Sequence, residues 1–235
     1  MLLLTRPIHD SQRIEKHLRK CNIPIHIDPL MEIERNPIPS LDLSNFQAII
    51  LTSANGVRAF FKKGQQCELP VYVVGNHTRT VALQHGLKTV VSSDGNVETL
   101  YHTLTSTLNP DDGPLLYLTG GNVAGTLYED LRDSGFSINH QKIYTAVAAQ
   151  CLSDDTKKLL KKGKIDYIPF YSPRSALIFK ELIEAAHLQN TLAKVSVICI
   201  SPAVENEIST LAWKEILTAK KPTQENMFKL INIKL

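Results

Sequence analysis

At 235 residues the chain suits one large domain or two smaller ones of roughly 100 to 130 residues each. Its composition, 43% hydrophobic and 21% charged with 11 Gly and 12 Pro, is that of a globular protein with an ample core and excludes a long disordered tail. The net charge of +3, from 26 basic and 23 acidic residues with the signs interspersed, forms no stripe that would track a phosphate backbone, so nucleic acid is not an expected partner.

The chain opens on MLLLTRP, an apolar strand stopped by Arg6 and Pro7 and far shorter than a signal-peptide apolar segment. Helical period follows over Ser11 to Lys20, then the strand PIHID. After AIILT comes a helix over Val57 to Lys63, after VYVVG one over Arg79 to His85, and after KTVVS one over Val97 to Thr107. LLYLT leads to Leu127 to Ser134, and Asp154 to Lys162 precedes DYIPFY; helices over Ser175 to Ala186 and Ala203 to Leu211 flank VSVICI. Short Val/Ile/Leu-rich strands alternating with helices are the pattern of parallel βα units, so open parallel sheets covered on both faces are expected. No apolar run approaches the ~18 residues of a membrane span. Cys21, Cys67, Cys151 and Cys199 form no CxxC pair and read as reduced thiols, so the expectation is a cytoplasmic protein without membrane contact or metal.

A weak internal repeat recurs three times. AIILTSANGVRAFF from Ala48 matches YIPFYSPRSALIFK from Tyr167, with Ser53 facing Ser172 at a separation of 119 residues. VYVVGNHTRTVAL matches VSVICISPAVENEI with Gly75 facing Ser201, and the opening LLLTRP segment matches the one that begins at Leu115. The unit that comes first in one copy comes last in the other, so one domain is inserted into its twin. The expected outer domain is 1–30 and 146–235, the inner one 36–141, and 31–35 with 142–145 form a two-stranded linker.

Ligands of open parallel sheets gather beyond the carboxyl ends of the strands. Here those ends carry Thr5-Arg6-Pro7, Thr52-Ser53-Ala54-Asn55, Gly75-Asn76-His77-Thr78, Thr119-Gly120-Gly121-Asn122, Ser172-Pro173-Arg174-Ser175 and Ser201-Pro202-Ala203. Pro7, Pro173 and Pro202 stand where a first helical residue would. Any one such turn is most simply a helix cap. Repeated on two domains, free N–H groups and small hydroxyl residues also suit a ligand with many carboxylates. Gly120 to Thr126 has phosphate-loop spacing but lacks the Lys after Gly125, and neither a GxSxG elbow nor an HExxH pair occurs. Arg6, and Tyr144 in the return crossing, are the most suggestive side chains; a crossing tyrosine is also commonly a packing residue.

LLLTRP, AIILTSANGV, VVGNHT followed by Leu83 and Gly86, LLYLTGG followed by LRDSG, KIYTAV, DYIPFYSPRSA and the late Pro222-Thr223 together resemble the uroporphyrinogen-III synthase family over nearly the whole chain. The resemblance implies two similar flavodoxin-like domains, one inserted into the other and joined by a two-stranded linker, with a linear tetrapyrrole held in the cleft. It implies a cofactor-independent enzyme, a cyclising lyase that converts hydroxymethylbilane to uroporphyrinogen III with inversion of ring D and loss of water; a monomer is expected. Carried onto this sequence, Arg6, Ser53, Asn55, Thr78, Thr119, Gly120, Ser172 and Ser175 bind acetate and propionate groups, and Tyr144 matches the family's linker tyrosine, the position considered as proton donor. The pyrrole nitrogen of that substrate can itself expel the hydroxyl group, so orientation is the main catalytic contribution expected of the protein.

One departure stands out. The family usually has Gly, Pro and then a hydroxyl residue two further on in the outer-domain turn, where this chain has Ser201, Pro202, Ala203 and Val204. A catalytically weak relative therefore stays open, as does a two-domain protein that only binds an anionic ligand.

Overall fold

In β4 (Ala48–Leu51), Ile49 and Leu51 join one buried cluster while Ala48 and Ile50 join another. In β7 (Leu115–Thr119), Leu116 and Leu118 separate from Leu115 and Tyr117 in the same way. β1 (Leu2–Leu4) repeats the division, with Leu3 on one side and Leu2 and Leu4 on the other. Successive strand side chains point to opposite faces, so a strand apolar at every position needs cover on both. Helices supply that cover in this computed structural model, which describes residues 1–38, 40–62, 64, 67–93, 96–121 and 126–233, Lys20 by its backbone only.

The remaining strands are β2 (Ile25–Ile27), β3 (Met31–Arg35), β5 (Val71–Val74), β6 (Val90–Ser93), β8 (Ile138–Lys142), β9 (Tyr144–Ala148), β10 (Tyr167–Phe170), β11 (Ser196–Cys199) and β12 (Glu215–Thr218). Helices are α1 (Ile8–Leu18), α2 (Ala54–Phe60), α3 (Gly75–Gln84), α4 (Val97–Thr107), α5 (Leu127–Asp133), α6 (Asp154–Lys161), α7 (Pro173–Ala185), α8 (Pro202–Ile208) and α9 (Gln224–Lys229). The chain divides into two units, Met1–Glu32 with Val147–Leu235, and Ile33–Ala146.

The first unit holds a five-stranded parallel sheet in the order β12-β11-β10-β1-β2. The second holds another in the order β6-β5-β4-β7-β8. The sequence repeat matches β4 with β10, β5 with β11 and β7 with β1, and under that matching the two spatial orders are the same. Only the point where the chain enters differs: unit 2 runs from β4 to β8 without a break, whereas unit 1 is interrupted between β2 and β10. The α/β fold with two similar parallel sheets, one unit inserted into the other, is therefore present. β3 and β9 pair as a two-stranded sheet, and Lys142 ends β8 rather than belonging to the return crossing.

Three local expectations need correction. The outermost strands β8 and β12 are additions to the elements expected from sequence: β8 reads INHQK and is only partly buried, and an edge strand lacks the two-sided apolar signal, whereas α9 is the helix that the resemblance implies after Pro222-Thr223. Helices α1, α2 and α3 begin at Ile8, Ala54 and Gly75 rather than at Ser11, Val57 and Arg79, because the small-residue turns coil into the first helical turn. Pro7 takes the N-cap position of α1, while Pro173 and Pro202 do open their helices.

Candidate active site

In unit 2 the chain leaves β4 toward β5 on one side, while β7 flanks β4 on the other, so the carboxyl ends of β4 and β7 form the sheet's switch point. Thr52-Ser53 and Thr119-Gly120 stand there. Tyr144 reaches the same place from the first position of β9. The preceding Ile143 is buried, and its N–H donates to the Thr119 carbonyl at 2.9 Å. Asn36 fixes the segment further: its N–H donates to the Ile143 carbonyl and its Nδ2 to the Lys142 carbonyl, each at 3.0 Å, while Thr145 Oγ1 donates to Asn36 Oδ1 at 3.0 Å.

The Tyr144 ring lies against the backbone of Gly120. A Cβ at position 120 would stand 2.5 Å from Tyr144 Cζ, 2.6 Å from Cε2 and 2.7 Å from the hydroxyl, distances that no real contact tolerates. Gly56 borders another edge, where a Cβ would come within 3.8 Å of Cε1. The Tyr144 hydroxyl is 2.8 Å from Ser53 Oγ, which also accepts the Gly56 N–H at 3.1 Å as N-cap of α2. Ser53, Gly120 and Tyr144 thus come together in one unit.

The other residues singled out in unit 2 are engaged elsewhere. Asn55 Oδ1 accepts from Arg58 Nη1 at 3.0 Å. Thr119 is 3% exposed and its hydroxyl is 2.8 Å from His140 Nε2, with the imidazole stacked on Tyr117 at 5.2 Å between ring centroids. Thr78 is buried in α3, three residues beyond Gly75, whose φ of 77° falls in the left-handed region that glycine tolerates best. Asn122 and the middle of the Gly120 to Thr126 segment lie outside the described residues. Among the described residues no group of three or more His, Cys, Asp or Glu is placed to hold a metal ion, and no helix is long and apolar enough to cross a membrane.

In unit 1 the switch point falls between β1 and β10. Arg6, just beyond β1, donates from Nη2 to Asp10 Oδ2 at 2.8 Å and lays its guanidinium over the Tyr171 ring, 4.6 Å from the centroid. The Tyr171 hydroxyl is buried without a hydrogen-bond partner among the described residues. Burial pushes this phenol's pKa well above the ordinary range, with Arg6 and Arg13 pulling the other way. Ser172 caps α7, accepting the Ser175 N–H at 3.2 Å, and its hydroxyl is 3.0 Å from Ser175 Oγ, which is itself buried. Ser201 makes no side-chain cap bond and Val204 is fully buried in the core, so the unusual turn presents an apolar residue inward.

Tyr171 and His140 are not among the residues that sequence reasoning singles out. Tyr171 ends the apolar run before Ser172 and reads as core, although the Arg6 and Asp10 spacing of four residues is a visible helical ion pair. His140 lies on the edge strand whose pattern is weak, and nothing in its neighbourhood in sequence points to Thr119.

Comparison with known proteins gives one consistent result. A family profile described as uroporphyrinogen-III synthase HemD matches residues 12–229. A uroporphyrinogen-III synthase of Chlorobaculum parvum is 25% identical over 214 residues, 81% of this chain and 82% of the relative. The crystal structure of uroporphyrinogen-III synthetase from Helicobacter pylori 26695 aligns with a TM-score of 0.66 at 20% identity, covering 98% of this chain and 97% of that one. A mutant uroporphyrinogen III synthase from the extremely thermophilic bacterium Thermus thermophilus aligns over 98% and 96% at 12% identity, with a TM-score of 0.48.

Proposed function

The chain belongs to the uroporphyrinogen-III synthase family, enzymes of porphyrin biosynthesis, and on that premise we propose that it closes hydroxymethylbilane to uroporphyrinogen III with Tyr144 as the general acid. The observation that carries this reading is the contact of the Tyr144 hydroxyl with Ser53 beside a glycine that leaves room for the ring. A phenol held at a sheet's switch point meets the requirement of a weak acid at a fixed position.

The reaction asks little else of the protein. The pyrrole nitrogen pushes out the hydroxymethyl oxygen, which leaves as water after taking the Tyr144 proton. The substituted carbon of ring D then attacks, a spiro intermediate forms and breaks, and the ring recloses inverted. Ring D recloses through its free α-carbon onto the methylene that its substituted carbon has released, and the proton that this free carbon sheds on rearomatisation restores the phenol, so the enzyme ends unchanged. Orientation and water exclusion do the rest.

The substrate's carboxylates are taken, in this reading, by Arg6, Ser172 and Ser175 in unit 1, and by Ser53, Asn55, Thr78, Thr119 and Gly120 in unit 2. Thr119 and Ser175 have their hydroxyls committed to the protein, so their share is backbone N–H and the shape of the turn. The enzyme acts as a cytoplasmic monomer, with units 1 and 2 as its outer and inner domains.

The test supplies hydroxymethylbilane and separates the oxidised uroporphyrin isomers. The wild-type chain should give mainly type III; type I alone, at the spontaneous rate, would overturn the reading and leave a protein that keeps the fold without the activity. Tyr144→Phe should lower turnover about a hundredfold and raise the type I share as spontaneous closure competes.

A further inference from the structure

We propose that Ser53 is a positioning residue for Tyr144: its hydroxyl donates to the Tyr144 hydroxyl oxygen and so leaves the phenol's own proton pointing away from the protein, toward the departing hydroxyl group. This deepens the general-acid reading and replaces the assignment of Ser53 to a substrate carboxylate.

A serine hydroxyl has one proton and two lone pairs. One lone pair is occupied by the Gly56 N–H at 3.1 Å, because Ser53 caps α2. The only other polar partner of this oxygen among the described residues is the Tyr144 hydroxyl at 2.8 Å. If Tyr144 were the donor, its proton would be spent on Ser53 and none would face the substrate. The N–H bound to Oγ draws charge from the hydroxyl and strengthens it as a donor, which favours the opposite direction. Ser53 then has a second use. When the carbon–oxygen bond breaks and the phenol proton passes to the leaving oxygen, the phenolate left behind already has a hydrogen-bond donor in place, backed by the Gly56 N–H. The proton shed on rearomatisation returns to the phenolate, and Ser53 keeps its own throughout.

The repeat supplies an independent comparison. Ser172, the counterpart of Ser53, makes the same cap bond, yet its hydroxyl meets Ser175 Oγ rather than a tyrosine. Capping is common to both copies of the repeat, and the tyrosine contact is peculiar to unit 2.

The experiment uses the full chain with Ser53→Ala, Ser53→Thr and, as a control for loss of a helix cap, Ser153→Ala; Ser153 caps α6 by accepting the Thr156 N–H at 3.2 Å. Ser53→Ala should lower kcat about tenfold with KM within about twofold, and Ser53→Thr should recover most of it. Ser153→Ala should lower the melting temperature comparably and leave kcat alone. Independently of activity, protein labelled with 13Cζ-tyrosine should show the Tyr144 resonance, assigned by its loss in Tyr144→Phe, shifted in Ser53→Ala and restored in Ser53→Thr. A raised KM with kcat retained would return Ser53 to substrate binding, and an unmoved Tyr144 resonance would remove the positioning role by itself. Full activity of Tyr144→Phe would instead sink the general-acid reading while the resonance still reported on the bond.

Discussion

At the carboxyl end of β7 the chain places Gly120, and the ring of Tyr144 lies against it; at the matching end of β1 it places Arg6, whose guanidinium lies on Tyr171. Both ends follow a buried threonine, Thr119 and Thr5, in sheets whose strands are ordered alike. The ends differ at two matched places: Gly120 against Arg6, and Tyr144 against Met31, since the Leu30 N–H donates to the Thr5 carbonyl at 3.0 Å as the Ile143 N–H does to that of Thr119 at 2.9 Å. Where the residue after the threonine has none, an aromatic ring from another strand enters and sets its hydroxyl beside a serine. Where that residue is arginine, the space is filled, a phenol is sealed beneath a cation, and its hydroxyl is left without a partner among the described residues. A duplicated framework thus sets a phenol beside a serine at one strand end and a cation over a phenol at the other.

The largest effect should come from erasing the distinction. Gly120→Ala forces a methyl group to within 2.5 to 2.7 Å of the Tyr144 ring carbon and hydroxyl, so the ring must leave. Turnover should fall by about a hundredfold, matching Tyr144→Phe, with a stability loss of about 1–3 kcal/mol from overpacking. Combining Gly120→Ala with Tyr144→Ala should recover part of that stability, because the methyl group then has room; additive losses in denaturant midpoints would show that the two residues are not in conflict.

On the other side, Arg6→Ala removes a partly buried ion pair and the cover of the Tyr171 ring, and should cost about 1–2 kcal/mol. Kinetically it should raise KM and spare kcat, the reverse of the unit 2 variants; a kcat loss as large as that of Gly120→Ala would abolish the contrast between the two strand ends. Smaller again is Thr119→Val, which leaves His140 Nε2 without its partner at a cost of about 1 kcal/mol and should leave the isomer ratio unchanged. The smallest effect has the opposite sign. Tyr171→Phe deletes a buried hydroxyl that has no partner among the described residues, so the melting temperature should hold or rise slightly, with wild-type kcat. The same substitution at Tyr144 should lower turnover about a hundredfold, and that pair of results is the sharpest check on the comparison.

Much of the fold was legible because both faces of the central strands are covered: LLLT, AIIL and LLYLT are apolar at nearly every position, which few other environments require. The inserted order was legible from the repeat alone. The edge strands β8 and β12 were not, since a strand with one neighbour and one wet side carries polar residues and loses its signature. At the site, sequence indicated Tyr144, Ser53 and Gly120 as separate candidates and gave no sign that they touch. Their meeting depends on the close approach of a ring to a backbone, which leaves in sequence only a glycine among other glycines. Sequence also gave no sign that the hydroxyls of Thr119 and Ser175 bond within the protein, because a hydroxyl that bonds internally has the same letter as one that faces solvent.

The insertion also sets a timetable. β1 pairs with β10 across 165 residues, Leu2 against Tyr167, and every residue of unit 2 is synthesised between the two. As the chain emerges, β1 and β2 have no neighbour on the β10 side until unit 2 is complete, whereas β4 finds β5 within about twenty residues. Contiguous unit 2 is therefore free to fold while its host is still half made. On stalled ribosomes that have released residues up to Ala146, protease should spare unit 2 and cut between β1 and β2; protection of Leu2 to Ile27 at that length would contradict this order. A protein built this way carries one edge of β1, three leucines long, uncovered for as long as unit 2 is being made.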